Sequence, residues 1–138
     1  YNDELAAVAQ EWAEHLIRNK KFEHKPNNPY GENLYINIKP NKPAEELPTD
    51  EAALSRSIAM WYAEVDDYKG LFGKEPKRKK LLMGPDTGHF TQLVWKKSKA
   101  VGCGIARGNN AIVVCCNYAP AGNVFDKFAV NVDPAGHR

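Results

Sequence analysis

Two strand-like runs, at positions 101–107 and 111–118, constrain the fold more than any other feature of the sequence. Two asparagines lie between them, and a two-residue connection of this kind is typical of a tight β-hairpin turn. If the strands pair around that turn, Cys103 faces Cys116 on a rung without backbone hydrogen bonds, where the two Cα atoms approach to about 4.5 Å. A disulfide can span this distance, so the hairpin predicts a bond between Cys103 and Cys116.

The third cysteine, Cys115, points to the opposite face of this hairpin and is expected to be a free thiol. Two valines precede it, which makes its surroundings inert rather than activating for a thiolate. The cysteine count alone leaves a second interpretation open, namely three reduced, buried cysteines in a cytosolic protein.

The composition indicates one ordinary globular domain over residues 1–138, with 43% hydrophobic and 26% charged residues. Lysine and arginine number 19 against 17 for aspartate and glutamate, so no nucleic-acid partner is expected. No apolar run is long enough to cross a bilayer, and the first residues do not have the charged-then-apolar pattern of a leader. The first residue is Tyr1, which suggests a processed or trimmed product.

Apolar residues recur at three- and four-residue steps over positions 3–19, which predicts an amphipathic helix capped by Asn2 or Asp3. A second helix is expected to begin at Thr49 or Asp50. Its expected core face consists of Leu54, Ile58, Trp61, Tyr62, Val65 and Tyr68.

Two further strands are expected. Residues 90–95 are β-branched, apolar or aromatic at most positions and follow a turn sequence, so His89 would stand at the start of a largely buried strand. The segment 125–132 alternates enough to add an edge strand.

Four sparse polar residues from four segments, His24, Glu32, Glu64 and His89, lie beside apolar runs. Two imidazoles and two carboxylates make a plausible divalent metal site, in which the histidines bind the ion and the glutamates orient them or a bound water. The alternative is that the same four residues form only a structural hydrogen-bond network. The sequence contains no HExxH metal motif and no nucleophile elbow that would indicate a hydrolase.

A loop of some twenty residues follows Tyr68 and carries Leu71 and Phe72 ahead of a basic cluster at positions 77–80. Apolar tips beside basic residues favour contact with anionic lipid headgroups, so the 69–83 segment is a candidate membrane-contact surface. The competing interpretation is a solvated charge run beside two side chains that fill the core.

Several segments resemble the CAP superfamily of cysteine-rich secretory, antigen five and pathogenesis-related proteins, also called SCP domains. The resemblance rests on GHFTQLVWKKS at positions 88–98 and VVCCNYAPAGNV at positions 113–124, with support from YGENL at 30–34 and WYAEV at 61–65. Together these segments extend over nearly the whole chain.

The resemblance implies an α+β fold, a three-layer α-β-α sandwich with a central, mainly antiparallel sheet. It also implies a cavity lined by a tetrad of His24, Glu32, Glu64 and His89, in which the histidines hold zinc or another divalent cation. The hairpin disulfide of the family corresponds to Cys103 with Cys116.

Some members of the superfamily bind sterols, fatty acids or other lipids, and their sterol-binding segment corresponds to the loop that holds Leu71 and Phe72. Most members are secreted, whereas one branch with fewer cysteines is intracellular and associates with Golgi membranes. Members usually have a further helix before the point at which this chain starts, so a CAP domain without its first helix is expected here.

The sequence therefore favours a secreted binding protein over an enzyme. It predicts a metal-capable tetrad and a sterol or other lipid ligand in defence, venom or host-parasite interaction. One alternative is a metal-dependent protease or esterase in which Glu32 or Glu64 acts as general base. A second is a protein-interaction scaffold whose tetrad is only structural.

Overall fold

A computed structural model describes residues 1–39, 47–108 and 110–134, and the centre of this part of the chain is a three-stranded antiparallel sheet. In spatial order the strands are β1 (Gly31–Ile38), β3 (Ala111–Ala119) and β2 (Ala100–Arg107). β1 and β2 both pair with β3, so each has one outer edge.

The β2–β3 hairpin has the predicted register. Cys103 is opposite Cys116 at a Cα–Cα distance of 4.1 Å, and the two sulfurs are bonded. The amide of Gly108 donates to the carbonyl of Ala111 at 2.9 Å, which closes the turn, although Asn109 lies outside the described residues. Cys115 is a buried free thiol whose pKa is raised by burial, so the expectation of an inert cysteine is confirmed.

Helix α1 (Asp3–Asn19) covers one face of the sheet and confirms the predicted helix and its cap. The side chain of Asn2 accepts a hydrogen bond from the backbone amide of Leu5 at 3.0 Å. The apolar stripe of α1 packs on β2 and β3, and its buried members are Leu5, Ala9, Trp12, Ala13 and Leu16.

Two glycines in β2 have no side chain, so the backbone of α1 can pack directly against the backbone of the strand. A Cβ added to Gly104 would lie 2.3 Å from Cα of Gln10, and one added to Gly102 would lie 2.2 Å from the backbone nitrogen of Ala6. The side-chain amide of Gln10 then bonds both backbone groups of Ile105 at 2.8 Å, so α1 also covers the outer edge of β2.

Helices α2 (Asp50–Ala63) and α4 (Gly88–Val94) cover the other face, which gives the three layers expected from the resemblance. Thr49 caps α2 by accepting from the amide of Ala52 at 3.2 Å. The predicted core face of α2 is partly wrong, because Ile58 and Tyr62 are 43% and 39% exposed. The fully buried residues of α2 are Ala53, Ser57 and Trp61, of which only Trp61 was predicted.

The strand predicted over 90–95 is wrong, since the segment 88–94 is helix α4. Both carboxylate oxygens of Glu64 lie at the start of this helix, and one of them accepts from the backbone amides of His89 and Phe90, each at 3.0 Å. A carboxylate at a helix N-terminus satisfies amides that lack partners within the helix and interacts favourably with the helix dipole. This contact outweighs the β-propensity of the sequence.

The edge strand predicted over 125–132 is also wrong. The segment contains the short helix α5 (Phe128–Asn131), whose first amides, those of Phe128 and Ala129, donate to Glu75 at 3.0 and 2.7 Å. Phe128 and Val132 are one helical turn apart and both pack in a cluster with Trp95.

The long loop after Tyr68 contains more regular structure than the sequence indicated. A 3-10 turn, Glu64–Asp67, continues α2 as far as Tyr68. The loop itself then contains a second 3-10 turn, Lys69–Leu71, and the helix α3 (Arg78–Met83). No helix in the described part of the chain is both long and apolar enough to span a bilayer.

Candidate functional site

His24 and Glu32 form the first of two carboxylate–imidazole pairs. Glu32 is the second residue of β1, and its Oε1 lies 2.7 Å from Nδ1 of His24 and 3.1 Å from the amide of Lys25. Its Oε2 accepts from the side chain of Asn28 at 3.0 Å. The Glu32 side chain is only 5% exposed, so these three donors replace the water that its charge would otherwise bind.

Glu64 and His89 form the second pair, with the same pattern of donors. Glu64 caps the C-terminus of α2, and its Oε2 lies 2.8 Å from Nδ1 of His89, the second residue of α4. Its Oε1 accepts from the amides of His89 and Phe90. Each glutamate of the predicted tetrad therefore holds one histidine through Nδ1 and also accepts a backbone amide beside it.

An ionised carboxylate is only an acceptor, so the proton of each neutral imidazole must lie on Nδ1. The lone pair of Nε2 is then available on both His24 and His89. An imidazole held in this tautomer by a carboxylate is the usual arrangement of a histidine that binds a divalent metal through Nε2.

The ring of His89 is also held by an aromatic surface. It stacks on Trp61 with a centroid distance of 6.1 Å and an angle of 9° between the planes. Trp61 itself is buried, and its Nε1 donates to the carbonyl of Leu34 in β1 at 3.0 Å. The sheet, α2 and α4 together therefore fix the direction in which His89 presents Nε2.

Asp86 adds a carboxylate that the sequence analysis did not single out. Its Oδ2 lies 3.4 Å from Nδ1 of His89, and its Oδ1 accepts from the amide of Gly88 at 2.9 Å. Glu64, Asp86 and His89 offer ligand atoms that all lie within 4.8 Å of one another. The only hint of this role in the sequence is that Asp86 lies in the turn before His89. An aspartate is common just before a helix, so this position alone does not indicate a ligand.

The donor set fits a divalent cation. Imidazole nitrogen and carboxylate oxygen are ligands of zinc and of harder cations such as manganese. Oxygens of Glu64 are already occupied by three donors, whereas the Asp86 side chain is 66% exposed and can turn toward an ion. His24 and Glu32 are not members of the group of three, although Asp86 is near enough for its charge to act on His24.

The hydrogen bond that His24 donates to Glu32 raises the pKa of His24 above its usual value of 6.5, against a smaller opposing effect of burial. The negative charges of Glu32 and Asp86 act in the same direction as the hydrogen bond. Because the folded-state pKa is the higher one, protonated His24 stabilises the fold below about pH 6.5, and this contribution is lost as the pH rises through the raised pKa.

We expect the NMR titration of the His24 ring proton to have its midpoint above pH 6.5, because the ionised Glu32 favours the imidazolium. In the Glu32→Gln variant the midpoint should fall, since the glutamine carries no charge. The Glu23→Gln variant, which changes an exposed neighbour of His24, is the matched control and should leave the midpoint in place. An unchanged midpoint in Glu32→Gln would contradict the assigned cause.

Leu71 and Phe72, the predicted lipid-contact residues, are half-buried. Both pack against the cluster that contains Tyr68 and Phe90, and the Phe72 ring contacts these two rings edge-on at centroid distances of 5.3 and 6.2 Å. They are therefore part of the core under the loop rather than free apolar tips. The side chains of Leu82 and Met83 lie outside the described part of the 69–83 segment.

The profile of the CAP family, described as the cysteine-rich secretory protein family, matches residues 1–118. Venom allergen 5.02 of Dolichovespula maculata is 33% identical over 135 residues, which cover 92% of this chain and 56% of the relative. Cysteine-rich secretory protein 2 of Cavia porcellus is 34% identical over 129 residues, or 89% of this chain and 46% of the relative. The chain thus spans about half the length of these relatives.

Solved structures have the same architecture. The crystal structure of NaASP2 with Zn²⁺ superposes with a TM-score of 0.69 and 27% identity, over 97% of this chain and 66% of that chain. The structure of BmVAL-1 gives a TM-score of 0.68 and 29% identity, over 90% and 59% of the two chains. The fold is that of a CAP domain. The chain belongs to the CAP family of cysteine-rich secretory proteins.

Proposed function

We propose that this CAP domain is a binding protein that holds a divalent cation between His89, Asp86 and His24. The observation that carries the proposal is the occupation of both Nδ1 atoms by carboxylates, which leaves Nε2 of each histidine as a ligand atom. Asp86 offers a carboxylate beside His89, and Glu32 and Glu64 orient the imidazoles. The similarity to NaASP2, whose crystal structure was determined with Zn²⁺, gives this proposal further support.

When bound, such an ion supplies a Lewis acid that polarises a coordinated oxygen. The alternative of a metal-dependent hydrolase requires Glu32 or Glu64 to take a proton from that oxygen. Each glutamate already accepts three hydrogen bonds, which suits a positioning role better than that of a general base. A binding function is therefore the better-supported proposal.

Secretion is proposed on two grounds. The Cys103–Cys116 disulfide persists in oxidising compartments, and the relatives named above are venom allergens and cysteine-rich secretory proteins. A sterol or fatty-acid ligand at Leu71 and Phe72, and membrane contact through the 69–83 segment, stay predictions, because the packing of these side chains offers no support for them.

Calorimetric titration of zinc at neutral pH tests the metal proposal. We expect saturable binding to the unmodified protein and a loss of at least tenfold in affinity in the His89→Ala variant, because a ligand bond is removed. His24→Ala should weaken binding as well, and the double variant should show none.

His15→Ala is the matched control for this titration. His15 stacks on Trp12 at a centroid distance of 4.6 Å on α1 and belongs to neither carboxylate–imidazole pair, so its removal should leave the zinc affinity unchanged. Zinc binding that survives in the His24→Ala, His89→Ala double variant, with its fold intact by circular dichroism, would show that these two histidines do not bind the ion. The four residues would then form a structural network, as the scaffold hypothesis requires.

A further inference from the structure

The two outer edges of the sheet differ in how their backbone groups are satisfied. On β2, outward-facing groups have partners from the start of the chain and from α1. The hydroxyl of Tyr1 donates to the carbonyl of Cys103 at 3.3 Å and accepts from its amide at 3.4 Å. The side-chain amide of Gln10 bonds both backbone groups of Ile105 in the same way. This edge is therefore closed to a further strand.

The hydrogen bonds of β1 alternate between its two sides. The amide of Lys39, just after β1, donates to the carbonyl of Asn110 at 2.8 Å, which marks a rung that is bonded toward β3. In an antiparallel pair such rungs recur at every second residue, so the odd-numbered residues of β1 bond to β3 and the even-numbered ones face outward. Leu34 agrees with this pattern, because its carbonyl accepts from Nε1 of Trp61 rather than from β3.

Beyond Leu34 the outer edge of β1 is open. Among the residues that the structure describes, none bonds the outward amides and carbonyls of Ile36 and Ile38. The strand is accessible here, since Ile38 is 53% exposed. A row of unpaired donors and acceptors is a template for pairing with another chain. The positions 36–38 can therefore accept a further strand.

An apolar groove lies beside this open edge, on the face of the sheet that α1 covers. It has a volume of about 550 Å³ and lies between the end of α1, the residues that follow it and the end of β1, and we call it the α1 groove. Ile36 and Ile38 line it together with Ile17 and Phe22, and Phe22 is 48% exposed. Apolar side chains that enter the groove would leave water, which is favourable in proportion to their area.

The geometry of an antiparallel pair connects the open edge with the groove. Residues directly opposite each other in such a pair have their side chains on the same face of the sheet. A residue that exchanges two hydrogen bonds with Ile36 or Ile38 therefore also directs its side chain toward the α1 groove. The edge and the groove together select an extended peptide with apolar side chains at alternate positions.

Two consecutive lysines determine the charge that such a peptide should carry. Lys20 and Lys21 line the groove, and its described lining contains no acidic residue. Among the described ion pairs, neither lysine has a carboxylate partner. A peptide with acidic residues near these lysines gains a favourable interaction. A second copy of this chain fits less well, because pairing of two β1 edges would bring together the lysines of both copies.

The lysines stand at the Ile38 end of the groove. A Cβ added to Gly108 would lie 3.3 Å from Ile17, so the last turn of α1 is level with the β2–β3 turn. Ile38 is level with the same turn, because it is opposite Ala111. A strand that runs antiparallel to β1 begins at this end. Its acidic residues therefore belong at its N-terminal end.

We propose that the outer edge of β1 binds an extended segment of a partner protein by strand addition. The segment runs antiparallel to β1, as do all the pairings in the sheet. It places alternate apolar side chains in the α1 groove opposite Ile36 and Ile38, and its N-terminal acidic residues lie against Lys20 and Lys21.

The test uses the peptide Asp-Asp-Val-Thr-Val-Thr, acetylated and amidated, with amide hydrogen exchange of the protein followed by NMR. A chelator is present, because Glu32 of the candidate metal site lies on the same face of β1. At saturating peptide we expect the amides of Ile36 and Ile38 to exchange about tenfold more slowly, since they become hydrogen-bonded. The amides of Cys103 and Ile105 on the closed edge are the internal control and should not change.

N-methylation of the peptide separates strand addition from a simple apolar contact. Methyl groups on the two valine nitrogens remove the donors that face β1, so the affinity should fall about tenfold. The same modification of the two threonine nitrogens, which face away from β1, should leave the affinity nearly unchanged.

A proline substitution tests the edge from the side of the protein. Ile38→Pro removes an outward amide without loss of a bond to β3, and edge strands tolerate proline at such positions. This variant should keep its fold by circular dichroism and bind the peptide about tenfold more weakly. Ile38→Val retains the amide and should bind nearly as the unmodified protein does.

A pair of lysine variants tests the charge. Lys20→Gln with Lys21→Gln should weaken the peptide about fivefold and leave unchanged the binding of a peptide with Asn-Asn in place of Asp-Asp. Lys79→Gln with Lys80→Gln, a matched pair from the basic cluster on α3, should change neither.

Other outcomes would overturn the proposal. These are no protection of the Ile36 and Ile38 amides, an affinity unchanged by methylated valines or by Ile38→Pro, or a loss that follows Lys79 and Lys80 instead. Protection of these amides that rises with protein concentration in the absence of peptide would also overturn it, and would make the edge a contact between copies of this chain.

Discussion

The Gly104→Ala variant should unfold at a temperature roughly 10 °C lower than the unmodified protein, which corresponds to a loss of about 3 kcal/mol. The added Cβ would lie 2.3 Å from Cα and 2.4 Å from the nitrogen of Gln10, and both are backbone atoms that no rotamer change can move. The whole of α1 would have to shift outward. That shift would loosen Trp12 and Leu16 in the core and break the two hydrogen bonds between Gln10 and Ile105.

Gly70→Ala is the control for this prediction. A Cβ at Gly70 meets no atom within 4 Å, and Gly70 has no positive φ, so alanine should be neutral or slightly stabilising there. Thermal unfolding followed by circular dichroism, with the disulfide kept oxidised in all samples, compares the two substitutions directly. Equal midpoints for the Gly104→Ala and Gly70→Ala proteins would contradict the close contact between α1 and β2.

The elements predicted correctly from the sequence are those that local chemistry determines. Helix α1 begins at an asparagine cap and carries an apolar stripe of helical period, and both signals lie within the helix itself. The register of β2 and β3 follows from a two-residue turn, so the pairing of Cys103 with Cys116 could be inferred without any long-range contact.

The two mispredicted segments share a physical cause. Both α4 and α5 begin at amides that donate to a carboxylate from elsewhere in the chain, Glu64 in one case and Glu75 in the other. Each acceptor lies at least 25 residues away in sequence. Strand propensity and hydrophobic periodicity depend only on the residues of the segment itself, which are aromatic and β-branched, and not on a distant acceptor. They therefore predict strands.

The candidate site also has features that could be predicted from the sequence and features that depend on contacts distant in sequence. His24, Glu32, Glu64 and His89 were expected as one tetrad, from their apolar surroundings and from the family resemblance. Which glutamate pairs with which histidine was not predicted; the structure has His24 with Glu32 and His89 with Glu64 within hydrogen-bond distance. Asp86 was missed because its role depends on how the turn before α4 folds back on His89. The core face of α2 was only partly predicted. The helix buries Ala53 and Ser57, whereas Ile58 is exposed. Leu54 is half-buried against the cluster on the sheet, as predicted.

The Glu64→Gln variant should weaken zinc binding by about 10- to 100-fold while it leaves the fold largely intact. A glutamine Oε1 can still accept from the amides of His89 and Phe90, so the start of α4 keeps its acceptor. Its Nε2 is a donor, however, and it would face Nδ1 of His89, at the position where Oε2 now lies 2.8 Å away. A neutral His89 would then carry its proton on Nε2 and lose the lone pair that binds the ion.

Glu75→Gln is the matched control, because Glu75 plays the same part at the start of α5 but touches neither histidine. Zinc titrations of the two variants, with thermal unfolding as a second measurement, separate a change of tautomer from a general loosening of a helix. A weaker zinc affinity in Glu64→Gln alone, with similar unfolding temperatures, is the expected result. If both variants bound zinc as the unmodified protein does, the Nδ1 proton of His89 would have no part in metal binding, and Glu64 would serve only as the acceptor that starts α4.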